Sequence, residues 1–154
     1  MADRTAYSAG TLGLAIKRLQ VRHQRALESR LAPLGLTLAQ WDALRHLHAH
    51  PDASLHDLAV LTFQTDQSMG TLATRMVARG LVERVTGPGR AVRHRITPTG
   101  ERLRVDVQRE VDDVLATSLA ALDDADRARL GALLAQLLGP DMPSPIRSHP
   151  SAEA

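Results

Sequence analysis

Cysteine is absent from the chain, which excludes a disulfide framework, a thiolate metal site and cysteine-based redox sensing. Aromatic residues are almost as scarce: Tyr7, Trp41 and Phe63 are the only three, 2% of the sequence. A core must then be assembled from Leu, Val, Ile and Ala, which suits helices packed on helices better than a sandwich or barrel. Long apolar runs are missing too, so no segment reaches the length of a membrane span. Met1-Ala2-Asp3-Arg4 lacks the charged and apolar regions of a signal peptide. The expectation is a cytoplasmic protein with no membrane partner. Enzyme signatures are also lacking. There is no glycine-rich phosphate loop and no Gly-x-Ser-x-Gly elbow, and Ser, His and Asp are scattered without a catalytic arrangement. Neither a catalytic residue nor a cofactor is expected.

What the chain does have is enough apolar side chain for a core, 44% of 154 residues. That size fits one domain, or one protomer of an intertwined dimer. Net charge is only +2, but it is unevenly spread. Between Leu58 and Arg104 the cations are Arg75, Arg79, Arg84, Arg90, Arg93, Arg95, Arg102 and Arg104, opposed only by Asp66, Glu83 and Glu101. The following stretch, with Asp106, Glu110, Asp112, Asp113, Asp123, Asp124 and Asp126, is acidic. A basic middle built wholly from arginine suits contacts to phosphates and base edges.

Hydrophobic spacing divides the chain. Leu12, Ile16, Leu19, Leu27 and Leu31 recur at helical offsets from about Ser8 to Ala32, and Pro33 ends that helix. Thr37 and Gln40 form a capping box opening a helix through Leu38, Trp41, Leu44 and Leu47, closed by Pro51. Ser54 and Asp57 begin a short helix with Leu55, Leu58 and Ala59 inward. Thr65 caps the next, which runs to Arg79 and stops at Gly80. There Met69, Leu72, Ala73 and Met76 face inward, leaving Gln67, Ser68, Thr71, Thr74 and Arg75 outside.

After Gly80 the period changes to two. Leu81–Val85 and Ala91–Thr97 read as strands around the Gly/Pro-rich turn Thr86–Arg90, a hairpin that needs helices beneath it. Pro98 opens a long helix to Leu122, striped by Leu103, Val107, Val111, Val114, Ser118 and Leu122. Asp123 caps a last helix carrying Leu130, Leu133, Leu134, Leu137 and Leu138, and Gly139-Pro140 ends it. The predicted fold is mainly α with a small β-hairpin wing, a winged helix-turn-helix. It divides into an N-terminal dimerisation helix (1–36), a DNA-binding lobe (37–97), C-terminal dimerisation helices (98–139) and a disordered tail (140–154).

These residues resemble the MarR family of bacterial transcription factors. The likeness runs from about Thr11 to Leu138. It is carried by Leu58-Ala59, the helix Thr65–Arg79, Gly80-Leu81-Val82-Glu83-Arg84 leading into the wing, and Ile96-Thr97-Pro98-Thr99-Gly100 leaving it. One departure stands in the wing: Pro88 occupies the place of the family's usual Asp, two residues before Arg90. The resemblance implies a homodimer whose long terminal helices intertwine. It also implies a pseudo-palindromic operator in double-stranded DNA and a small-molecule effector that releases a repressor from it.

A helix in the major groove distinguishes bases by hydrogen bonding: Gln suits adenine, Arg suits guanine, and Ser or Thr either edge. The expected DNA contacts are therefore Thr65, Gln67, Ser68, Thr71, Thr74 and Arg75 from the helix, with Arg90 and Arg93 from the wing. Gly70 leaves room for close approach. By the resemblance, Arg22, His23, Trp41 and Arg45 are candidates for the effector pocket. The bland alternative is a core tryptophan among solvated cations. His46 and His50, four apart on one helical face, have metal-ligand spacing, with His56 or Asp52 in the following loop as candidate third ligands, but there is no His-Glu-x-x-His motif. No metal is expected, and a metal-responsive regulator is kept as an alternative. So is a winged helix used as a protein-interaction module, against which the polar helix face and arginine-rich wing argue.

Overall fold

The computed structural model describes residues 7–86 and 92–141. Arg90, Pro88 and the rest of the wing turn 87–91 lie outside the described residues, as does 142–154 of the predicted disordered tail. Helix α1 spans Ala9–Leu31 and starts where the Ser8 hydroxyl accepts the Thr11 N–H. After a single turn over Ala32–Leu34, α2 covers Leu38–Ala49, opened by the Thr37/Gln40 capping box. Helix α3 (Leu55–Leu61) has a second box, Ser54/Asp57, and α4 (Asp66–Ala78) is capped by Thr65. Serine and threonine at these positions satisfy N–H groups that a helix start leaves unpaired, so the boundaries follow local chemistry.

Strands β1 (Val82–Thr86) and β2 (Val92–Ile96) pair antiparallel, with Val82 opposite Ile96 and Arg84 opposite His94. β1 starts one residue later and β2 ends one residue earlier than expected, because the flanking backbone is engaged elsewhere. The Leu81 N–H goes to the Met76 carbonyl to close α4, and the Thr97 N–H goes to the Leu81 carbonyl. Helix α5 (Pro98–Ser118) stops short of the expected Leu122. The Leu122 N–H instead closes a turn on the Leu119 carbonyl, and Asp123 takes extended geometry so that its carboxylate accepts the Asp126 N–H at the head of α6 (Asp124–Leu138).

The Ile96–Gly100 segment has a packing explanation. The Thr97 hydroxyl donates to the Gly80 carbonyl at 2.6 Å and accepts the Gly100 N–H at 3.1 Å, tying the end of α4 to the start of α5. A Cβ at Gly100 would lie inside the van der Waals envelope of the Leu81 carbonyl oxygen. Only glycine lets α5 start this close to the wing.

Two compact units are present, Met1–Thr117 and Ser118–Ala154. In the first, Leu27 and Leu31 of α1 share one core with Trp41, Leu44 and Leu47 of α2, Leu58, Met69 and Met76 of the helix pair, Val82, and Val107, Val111 and Val114 of α5. His94 is buried at the root of the wing, in a small void lined by Leu47, Leu55, Leu58, Met69 and Met76. Burial first, and the facing Arg84 second, hold its imidazole below its ordinary pKa. In the second unit α6 buries none of its own side chains. No helix among the described residues is long and apolar enough to cross a membrane.

Candidate nucleic-acid interface

Helix α4 buries Met69, Ala73 and Met76. The helical period then sets Gln67, Ser68, Thr71, Thr74 and Arg75 on the opposite side, where all five are exposed. Thr65, the cap, is exposed beside them. The three hydroxyl donors nearest the helix are engaged internally: Thr71 donates to the Gln67 carbonyl, Thr74 to the Gly70 carbonyl, and Thr65 to the Ser68 hydroxyl. Thr71 and Thr74 thus present lone pairs outward, acceptors for an amino group on a base edge. The side chains of Gln67 and Arg75 have no hydrogen bond or ion pair among the described residues and so keep their donors and acceptors for solvent or a ligand. A shallow groove of about 360 Å³ runs along this face between Gln64, Gln67, Ser68, Thr71, Leu72 and Arg75. A Cβ at Gly70 would meet nothing within 4 Å.

The helix is held at its far end as well. Arg79, the C-terminal cap residue of α4, donates to Gln40 Oε1 at 3.0 Å, and the same oxygen accepts the Thr37 N–H at 3.2 Å. Gln40 is buried, so one amide oxygen links the start of α2 to the end of α4. Sequence spacing exposed the capping half of this link. The Arg79 half joins residues 39 positions apart and left no local signal. Gln64 was missed for a similar reason, since only the folded turn carries it onto the α4 groove.

On the wing, Arg93 is half-buried and lines a cavity of about 770 Å³ with His48, Asp52 and Glu101, away from the polar residues of α4. Arg95 makes a cross-strand ion pair with Glu83 at 3.6 Å. Glu101 is held below the usual carboxylate range by its hydrogen bonds from Arg104, with smaller help from His48.

Of the four effector-pocket candidates, the structure brings two together: the Arg45 guanidinium lies 5.6 Å from the Trp41 ring centroid, a cation–π contact. Arg22 is exposed on α1 and His23 half-buried. A cavity of about 890 Å³ is lined by Trp41 together with Gln24, Glu28, Gln40, Gln64 and Arg79. Trp41 Nε1 is buried without a hydrogen-bond partner among the described residues. His46 is tied into its own helix. Its Nε2 lies 2.8 Å from Arg45 Nη2, and because arginine only donates, that nitrogen is the unprotonated acceptor. Burial first, then Arg45, lowers its pKa against the opposing pull of Asp42. Among the described residues no three His, Asp or Glu side chains gather into a metal-binding group.

A capped helix pair, an outward polar second helix and a two-stranded hairpin packed on their core define a winged helix-turn-helix fold. Comparison with known proteins carries this further. Residues 34–91 match the family model of the MarR family. The Mycobacterium tuberculosis MarR family protein Rv2887, in complex with p-aminosalicylic acid, is 28% identical, with a TM-score of 0.70 over 82% of this chain and 97% of that one. The same protein in complex with DNA is 26% identical, with a TM-score of 0.70 over 82% of this chain and 96% of that one. A mutant of Escherichia coli MarR complexed with operator DNA is 25% identical, with a TM-score of 0.74 over 82% and 93% of the two chains. No curated protein matches the sequence. Over residues 34–91 the chain is thus similar to the MarR family, and its fold is that of solved MarR family proteins.

Proposed function

We propose that this protein is a homodimeric repressor that reads a pseudo-palindromic operator through α4 and leaves it when a small molecule binds. The observation that carries the reading is the exposed face of α4, where the Gln67 and Arg75 side chains have no partner among the described residues and stand beside outward lone pairs on Thr71 and Thr74. A polar face of this kind is expensive to desolvate against a protein surface and well matched to base edges. Dimerisation is supported by apolar side chains that the protomer leaves in water: Leu12, Leu14 and Ile16 on α1, and Leu133, Leu137 and Leu138 on α6. In a two-fold dimer the paired α4 helices would meet half-sites about 34–36 Å apart. Release by a small molecule is supported by the cavity at Trp41, and by the p-aminosalicylic acid bound to the M. tuberculosis relative.

Selection of duplexes from a random pool by the purified protein tests the reading, because operator and half-site spacing emerge together. Arg75→Ala is expected to relax preference at one base position per half-site. Arg90→Ala is expected to weaken all sequences evenly and lower the salt slope by about 1 per protomer. Recovery of no enriched sequence, or of enriched single half-sites only, would count against the proposal.

A further inference from the structure

Three turns among the described residues have the same hydrogen-bond pattern. At Gly35, φ is +69°, its N–H donates to Ala32 and the Leu36 N–H to Leu31. At Gly80, φ is +67°, with the N–H donating to Val77 and the Leu81 N–H to Met76. The third closes α3: its left-handed residue donates to Val60, and the Gln64 N–H reaches back to Ala59 at 2.8 Å. There the residue is Phe63, at φ +55°, the one non-glycine with positive φ among the described residues. Glycine is the usual occupant of such a turn, since a Cβ is disfavoured in left-handed geometry. Phe63 is also 96% exposed, and the neighbouring Val60 is 61% exposed. The fold gains nothing from this ring: it is strained at the backbone and unburied at the side chain.

We infer that Phe63 is a specificity-determining residue that packs against a thymine 5-methyl group at the edge of each operator half-site. Its position carries the assignment. Phe63 lies two residues before Thr65, the cap of α4, and the intervening Gln64 lines the same groove as Gln67, Ser68, Thr71 and Arg75. A recognition helix meets base edges with its N-terminal residues, and Phe63 stands immediately before that end of α4. A phenyl ring can make no hydrogen bond there, and the apolar feature that the major groove offers it is the thymine methyl. Phe63 and Val60 alone are far fewer than the roughly 20–30 residues a side of a stable protein interface. The inference rests on the proposal that α4 enters the major groove.

The test uses the full chain and its selected operator, with thymines replaced one at a time by deoxyuridine, which lacks only the methyl. Phe63→Gly and Phe63→Asn, both compatible with the left-handed turn, are compared with wild type. Phe63→Gly should melt at a higher temperature yet bind several-fold more weakly. Deoxyuridine at one position per half-site should weaken wild type about four-fold per methyl removed and leave both variants unaffected. Equal affinity, or an identical deoxyuridine profile in all three proteins, overturns the inference. A change in oligomeric state at unaltered DNA affinity also overturns it, assigning the ring to a contact between copies. If wild type enriches no duplex, the α4 reading itself has failed and this one with it. If Arg75→Ala alters base preference while the Phe63 variants do not, only the present inference falls.

Discussion

Gly100 and His94 are single residues on which the junction between wing and helices depends, for different reasons. A methyl group at Gly100 would collide with the Leu81 carbonyl, which Thr97 fixes by hydrogen bonds and which has little room to retreat. Gly100→Ala is therefore expected to cost about 2–3 kcal/mol, read as a lower urea midpoint at unchanged slope. His94 couples stability to pH. Its pKa is lowered in the folded state, so below the ordinary value near 6.5 the unfolded chain binds the proton more readily. Stability is then complete above about pH 6.5 and declines as the pH falls below it; His46 adds in the same direction. His94→Leu should flatten the acid limb of a thermal-melt series between pH 7 and 5, and an unchanged limb would remove His94 from the account. At this scale the sequence was informative where the cause is local. The outward set from Gln67 to Arg75 follows from helical spacing alone. The conformation of Phe63 did not, because nothing in the neighbouring letters distinguishes a strained aromatic from an ordinary loop residue.

Elements follow the same division between local and distant causes. Every cap read from the sequence (Thr37, Ser54, Thr65 and Asp123) accepts the expected N–H, since the interaction spans only three residues. Thr65→Ala removes the cap of α4 and should cost about 1 kcal/mol of stability while loosening the first turn of the helix proposed to face DNA. Thermal melts and gel shifts would detect the two effects separately. The end of α5 was misplaced by one turn because the apolar stripe continues through Leu122, whereas the chain bends to serve the cap at Asp123. Arg93 is a related case. Alternation placed it correctly on its strand, but which cavity it lines depends on how the hairpin leans on the loop after α2, which no strand pattern encodes.

At the scale of the whole molecule, the chain leaves more apolar surface in water than an isolated protomer would favour, and Leu137 alone is 74% exposed. On the proposal of a dimer, Leu133→Glu combined with Leu137→Glu is expected to shift sedimentation from dimer toward monomer and to abolish cooperative operator binding. Retention of a dimer would locate the interface elsewhere. The order of helices and hairpin was legible because each boundary is written in caps and breakers, but the core that joins α1 and α5 to the lobe required the folded chain. Gln40 gives that core one further property. Its side-chain oxygen joins α2 to the end of α4, and the neighbouring Trp41 is the sole indole in the protein, beneath a guanidinium. The molecule therefore has an intrinsic fluorophore one residue from that junction. A titration with DNA or with a candidate effector can be followed by emission wavelength and quenching, with no label attached.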